Sequence, residues 1–348
     1  MNSVYLNDFL VYKGKDDSYG FSEVLKLDPP LLPAPSAMRF LDKTFQASGI
    51  GEEAPLLKLM IDKIRKNPNT TIEDAREEVS YIAFQLIETI LKKNNLLATD
   101  IDLLVTCSAF SPIPSVSSLI VNQFKMKEDI ITYSLGSMGC SSSLIGMEIA
   151  QNYLKINSNK KALVLNVDSC CKLWYRGKDF NLLLANVLFK TGGIVALLSD
   201  AKCNAQFEFE GDLVRSHFGA SDTAYRSIYQ RNDKQGVTGI DINFNLTNIV
   251  APFIKKHCEK IGDRPWQSIA IHAGGLSIIQ EVSQLLSLTA EQSSFSMQSF
   301  QKYGNMSGAS VWYTFDLIKE GMNQNNIVWL LAFGSGFKIC SLFLKRVG

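Results

Sequence analysis

Short, continuously apolar runs alternate with longer stretches of helical period along this chain. Ile101-Asp102-Leu103-Leu104-Val105-Thr106-Cys107 reads as a strand and Val116 to Phe124 as a helix. The run from Ile130 leads into the turn Gly136-Ser137-Met138-Gly139-Cys140, Leu144 to Leu154 reads as a helix, and Ala162 to Val167 as a further strand. The same order returns downstream. Ser268 to His272 is a strand, Leu276 to Leu286 a helix, Tyr303-Gly304-Asn305-Met306-Ser307-Gly308 a turn, Ala309 to Lys319 a helix and Ile327 to Phe333 a strand. Corresponding elements are offset by roughly 165 residues, a regularity that marks a duplicated unit. Apolar throughout rather than alternating, these strands predict parallel sheets buried on both faces. Two such halves, residues 1–205 and 206–348, packed together predict an α/β fold layered α/β/α/β/α.

Outside the repeat, residues 70–94 predict a helix. Thr70 and Glu73 have the spacing of a capping box, and Val79, Ile82, Ala83, Leu86, Ile87 and Ile90 form one apolar face. The Pro-rich piece from Pro29 to Pro35 reads as a turn-rich loop. Residues 208–240, with Asp, Gly and Arg among few apolar groups, read as an exposed excursion between the halves.

Composition narrows the function. The 35 Lys and Arg residues nearly cancel the 34 Asp and Glu residues, with no long block of one sign, which argues against a nucleic-acid surface or a polybasic membrane surface. The N-terminus lacks the basic-then-apolar pattern of a signal peptide, and no apolar run reaches the roughly 18 residues of a membrane span. Seven cysteines without paired or metal-ligand spacing predict a reducing, cytoplasmic setting, no disulfide framework and no metal site.

Candidate chemistry centres on Cys140. A thiol at a helix N-terminus faces unpaired backbone N–H groups and the positive end of the helix dipole. Such a setting predicts a thiol pKa below the free value of about 8.5 and a thiolate able to attack a carbonyl carbon. A small buried hydrophobe is the competing role for such a cysteine. The repeat shifts the balance, because equivalent loops of two pseudo-symmetric halves meet near their axis. The second half brings His272 to the end of a strand beside Gly274-Gly275, and Asn305 to the turn equivalent to that of Cys140. Cys, His and Asn can divide acyl transfer, the thiolate attacking a thioester while imidazole and amide N–H groups donate to an oxyanion.

These segments resemble the 3-ketoacyl-CoA synthases, the condensing enzymes of very-long-chain fatty acid elongation in plants, and more distantly the ketoacyl synthase III and chalcone synthase branches of the thiolase superfamily. The resemblance rests on several stretches in the family's order. They are Val4-Tyr5-Leu6-Asn7-Asp8-Phe9, Ser48-Gly49-Ile50-Gly51-Glu52-Glu53, Gly136-Ser137-Met138-Gly139-Cys140-Ser141, Arg215-Ser216-His217, Ile271-His272-Ala273-Gly274-Gly275, Tyr303-Gly304-Asn305-Met306-Ser307 and Ala332-Phe333-Gly334-Ser335-Gly336-Phe337-Lys338. It implies a thiolase-like duplicated fold and a cofactor-free lipid-biosynthetic transferase. Acyl-CoA, or an acyl carrier protein, would load Cys140. Malonyl-CoA would then lose carbon dioxide and condense, giving a 3-ketoacyl-CoA longer by two carbons. It further implies that His272 and Asn305 stabilise the enolate, and that backbone N–H groups of Cys140 and of the Gly334-Ser335-Gly336 turn bind the tetrahedral oxyanion.

His217 and Gln301 are further candidates from the resemblance, Gln301 standing where the family usually has a histidine. Phe110, Pro112 and Pro114 match a loop that in relatives borders the acyl tunnel at the dimer interface, which implies a homodimer. The plant enzymes carry N-terminal membrane spans and this chain begins where those would end, which implies a soluble enzyme. Polyketide extension, acyl transfer to an amine or alcohol, and a non-catalytic partner subunit are the alternatives.

Overall fold

The apolar runs become the two ends of a ten-stranded mixed sheet. A computed structural model describes residues 2–14, 18–26, 35–51, 56–57, 62, 72–108, 114–136, 138–169, 175, 177–202, 204–218, 228–232, 238–242, 246–334, 336 and 338–348. Along the chain come β1 (Tyr5–Val11), β2 (Ser18–Tyr19), α1 (Phe21–Leu25), α2 (Pro35–Ser48), β3 (Leu56–Leu57), α3 (Ile72–Lys93), β4 (Leu103–Ser108), α4 (Val116–Phe124), β5 (Ile131–Gly136) and α5 (Ser142–Ile156). They are followed by β6 (Lys161–Asp168), α6 (Phe180–Leu188), β7 (Gly192–Ser199), β8 (Phe207–Phe209), β9 (Val214–His217), β10 (Ile228–Asn232), β11 (Thr238–Ile242) and α7 (Leu246–Ile261). The chain closes with β12 (Ser268–Ile271), α8 (Leu276–Leu285), α9 (Ala290–Tyr303), α10 (Ser310–Ile318), β13 (Ile327–Gly334) and β14 (Lys338–Arg346).

Spatial order in the large sheet is β12-β13-β14-β8-β1-β7-β6-β4-β5, with β9 also paired to β14. Alternating residues of each strand feed different cores. Leu103, Val105 and Cys107 of β4 face a central cluster shared with Val328, Leu330 and Ala332 of β13. Leu104 faces an outer cluster with Val79, Ile82 and Leu86 of α3, while Ile327, Trp329 and Leu331 face the opposite outer cluster. Helices α5 and α10 fill the central layer, contributing Leu144, Met147 and Ala150 from one half and Val311, Trp312 and Phe315 from the other. Val311 to Phe315 of α10 are buried without interruption, as a helix sandwiched between sheets must be. Trp312 Nε1 donates to Ser143 Oγ at 3.0 Å, joining the two central helices by a polar contact as well. The five-layer duplicated architecture is therefore present.

Two expectations need correction. The sheet is not all-parallel: β4 runs parallel to β5 and β6, and β12 to β13, but β6–β7, β1–β7 and β13–β14 are antiparallel. Continuous apolarity reports burial on two faces, not strand direction. The short link from Gly334 to Lys338 leaves β14 no choice but to reverse. Residues 207–217 are also not an excursion. Phe207 and Phe209 are buried, β8 bridges β1 to β14, and β9 flanks β14. Glu208, Glu210 and Asp212 hide these short strands from a reading by apolar runs. The helix from Ile72 buries its expected face, while its predicted cap Thr70 and the Pro29–Pro35 segment up to Ala34 lie outside the described residues.

Candidate active site

Strand β5 ends at Gly136, and the 3-10 turn Gly139–Ser141 carries Cys140 directly into α5. The thiol is 4% exposed and packs against Ala185 and Phe189, with Leu184 and Leu188 at its margin. Burial outweighs the helix terminus here. Desolvation pushes the Cys140 thiol up to about 12, a hydrogen bond with Ser307 pulls it down, and the negative charge of Asp168 raises it again. The lowered pKa expected from sequence is thus corrected: the resting sulfur is a neutral thiol. Its contact across the halves is Ser307 Oγ at 3.7 Å.

The second half presents Asn305 through an isolated parallel bridge to Phe189. Asn305 N–H donates to Leu188 O and Lys190 N–H donates to Asn305 O, both at 2.9 Å. The segment that walls the thiol is therefore the same one that clamps Asn305. Gly304 makes this approach possible. It has φ +69°, and a Cβ there would sit 2.8 Å from Lys190 Cγ. Asn305 Oδ1 accepts from Ser307 N–H at 2.9 Å and from the Ser310 hydroxyl at 3.2 Å. Both oxygen partners are donors, so the carboxamide N–H groups turn the other way, with Gly274 O 3.4 Å from Nδ2.

His272 follows β12 and donates its backbone N–H to Leu331 O at 2.8 Å. Its ring lies against Gly274, edge-on to Phe333, and is 3% exposed. Burial pushes its pKa down to about 3, which leaves a neutral imidazole at physiological pH. Nδ1 is buried without a hydrogen-bond partner among the described residues. His272 and Asn305 are thus brought together around Gly274, while Asn305 and Cys140 are brought together around Phe189 and Ser307.

The turn after β13 closes the opposite side. A side chain at Gly334 would collide with Ser141 Oγ and the Met138 carbonyl, so only glycine lets this turn lie on the turn that carries Cys140. Gly336 is in the left-handed region at φ +71°. Ser335 lies outside the described residues, as do Phe110 and Pro112. Pro114 is exposed just before α4. Gln301 is exposed, its backbone carbonyl accepting from Gly51 N–H, and His217 is exposed at the end of β9 opposite Lys338. Neither is gathered with Cys140.

Three features escaped sequence reasoning. Ser307 reaches the sulfur. Asp168 accepts from Ser108 Oγ at 3.1 Å and from Gly308 N–H at 3.5 Å, tying β4 and β6 to the second-half turn. Lys190 is 1% exposed and donates to the carbonyls of Asn186 and Val187 at the end of α6. Ser307 sat inside a quoted motif, but its role depends on a contact between distant segments. Among the described residues no group of His, Cys, Asp or Glu could hold a metal ion, and no helix is long and apolar enough to cross a membrane.

Comparison with known proteins places the chain in a family. A family profile described as FAE1/type III polyketide synthase-like protein matches residues 1–266, and the profile of the C-terminal domain of chalcone and stilbene synthases matches residues 233–348. The 3-ketoacyl-CoA synthase 5 of Arabidopsis thaliana is 32% identical over 99% of this chain and 77% of its own length. The 3-ketoacyl-CoA synthase 6 of the same plant is 30% identical over 89% of this chain and 70% of its own. Among solved structures, PKS-I from the brown alga Ectocarpus siliculosus superposes over 100% of this chain and 99% of its own with a TM-score of 0.80 at 17% identity. The C-terminal type III polyketide synthase domain of Steely1 from Dictyostelium covers 100% of both chains with a TM-score of 0.78, also at 17% identity.

Proposed function

This chain belongs to the FAE1/type III polyketide synthase-like family, and from that premise we propose that it is a decarboxylating condensing enzyme of the 3-ketoacyl-CoA synthase kind. One observation carries the reading: a buried cysteine of the first half meets the Asn305–Ser307 turn of the second, with a neutral His272 on the far side of the same asparagine. Division of labour then falls between residues 1–205, which supply the nucleophile, and 206–348, which supply His272 and Asn305.

Loading begins with the thiol neutral. Sγ forms a bond to the carbonyl carbon of an acyl-CoA, the thioester C–S bond breaks, and the thiol proton ends on the departing coenzyme A sulfur. Backbone N–H groups of Cys140 and of the Gly334–Gly336 turn would receive the oxyanion of the tetrahedral intermediate. Malonyl-CoA enters next. Its thioester oxygen accepts from Asn305 Nδ2 and from His272, both uncharged donors suited to an enolate that forms as carbon dioxide leaves. The enolate carbon forms a bond to the acyl carbon, the acyl–sulfur bond breaks, and the expelled Cys140 thiolate takes a proton from water to return to the thiol. No metal or cofactor enters the scheme.

The chalcone-type profile over residues 233–348 supports a second reading, polyketide extension on the same residues, which differs in the number of condensations per acyl-enzyme. The exposed β5 edge, with Ile131 and Tyr133 outermost, supports a homodimer paired edge to edge. Intact-protein mass spectrometry with acyl-CoAs of graded length tests the proposal. The expected result is one acyl group on Cys140, followed by carbon dioxide release from labelled malonyl-CoA that requires the acyl donor. Acylation without any such release would leave only an acyltransferase.

A further inference from the structure

We propose that Ser307 is a catalytic residue acting on the reacting sulfur, its hydroxyl serving as the hydrogen-bond partner of Cys140 Sγ in both the thiol and the thiolate. This inference rests on the reading of Cys140 as the nucleophile. Distance is the first support: Ser307 Oγ lies 3.7 Å from Sγ, and among the described residues no other side chain hydrogen-bonds that sulfur. Backbone conformation is the second. Ser307 has φ +52°, a left-handed value that serine adopts at a cost and that glycine or asparagine would meet more readily. Glycine does occupy the next position, 308, so a strained serine at 307 points to a need for its side chain.

The third support is how the strain is held. Ser307 N–H donates to Asn305 Oδ1 at 2.9 Å, Gly308 N–H to Asp168 Oδ2 at 3.5 Å, and the Gly308 carbonyl accepts from the Ser143 hydroxyl of α5. Donors and acceptors from both halves thus fix the turn around Ser307, itself 5% exposed, and the hydroxyl they aim meets Cys140. This same contact favours ionisation of the buried thiol.

Chemically, the resting thiol donates to Ser307 Oγ. As the proton leaves the sulfur, to end on the departing coenzyme A sulfur, the hydroxyl rotates and donates its own hydrogen to the sulfur as it becomes anionic, a charge-assisted bond stronger than the one it replaces. Ser307 keeps its proton throughout and forms no covalent bond. The backbone N–H of the same residue holds Oδ1 of Asn305, the carboxamide on which the enolate would depend.

Site-resolved alkylation tests this without using the condensation. Wild type, Ser307→Ala and Ser307→Gly are treated with iodoacetamide between about pH 7 and 9, and modification of the peptide carrying Cys140 is followed by mass spectrometry. Ser307→Gly suits the positive φ, so it removes the hydroxyl while relieving the backbone. Both variants are expected to alkylate at Cys140 about tenfold more slowly at each pH, the equivalent of about one unit in thiol pKa. Either variant reacting at the wild-type rate overturns the proposal, and a loss confined to Ser307→Ala does so too, because strain rather than the hydroxyl would then be responsible. Slower alkylation of both variants, with wild-type protein that takes no acyl group from any acyl-CoA, overturns the condensing reading and upholds the Ser307 contact.

Discussion

The two halves are built from one unit and finished differently. In the first, β5 is the outermost strand, with Ile131 40% and Tyr133 48% exposed, and it leads to a turn carrying a thiol. In the second, β12 is outermost but buried, because α9 covers it and Ser296 Oγ takes the edge N–H of Ile271 at 3.1 Å. Its turn carries an amide, and its strand end an imidazole. Duplication explains why the two turns meet. The differences between the halves explain what can happen there, and why β5 but not β12 leaves an exposed edge at its end of the large sheet.

The sharpest way to break the division of labour is Cys140→Ala, which should abolish the acyl mass shift on intact protein altogether. Persistent acylation at another residue would mean that Cys140 is not the nucleophile. His272→Ala and Asn305→Ala should next lower carbon dioxide release by about 10²–10³-fold, the loss typical of an oxyanion donor, while acyl loading continues. If loading falls instead and decarboxylation of pre-acylated protein is normal, the roles of the halves are exchanged.

Acid probes the second half more gently. His257 is fully buried, with Ser216 Oγ 2.8 Å from Nδ1 and Ser341 Oγ 2.9 Å from Nε2, and Trp329 Nε1 donating to Ser341 at 2.7 Å. Burial and then the nearby Lys260 push its pKa from 6.5 down to about 4. The folded state therefore resists a proton that the unfolded chain accepts. Stability is complete above about pH 6.5 and should decline by about 3 kcal/mol as the pH falls to about 4, with His272 acting in the same direction further down. Denaturant midpoints measured across that range check the slope, and His257→Gln should flatten it. A slope unchanged in that variant would put the acid sensitivity elsewhere.

The smallest effect sharpens the contrast of edges. Tyr133→Glu, placing like charges on the free β5 edge, should raise the dissociation constant of a β5-paired dimer about tenfold, read by light scattering on dilution. A monomeric wild type, or a dimer indifferent to this change, would remove β5 as the interface.

Much of this organisation was written in the chain. The strands at 103–108, 161–168 and 327–334 are apolar enough to declare burial on two faces, and their repetition declares two halves that must pack together. Cys140, His272 and Asn305 each stand beside glycines at strand ends or turns, where a side chain can leave the core. Local sequence therefore determined which elements form and which residues could carry chemistry. It did not determine strand direction at β7, the incorporation of Phe207 and Phe209, or the ionisation of Cys140. Those follow from long-range contacts: the pairing of β7 with β1 and β6, a place between β1 and β14 for a short charged strand, and walls from α6 that dry the thiol. A pKa is set by every charge and dipole within several ångströms, and a sheet by partners far along the chain. Only the folded molecule, by putting Ser307 against Cys140 and Leu188 against Asn305, decides them.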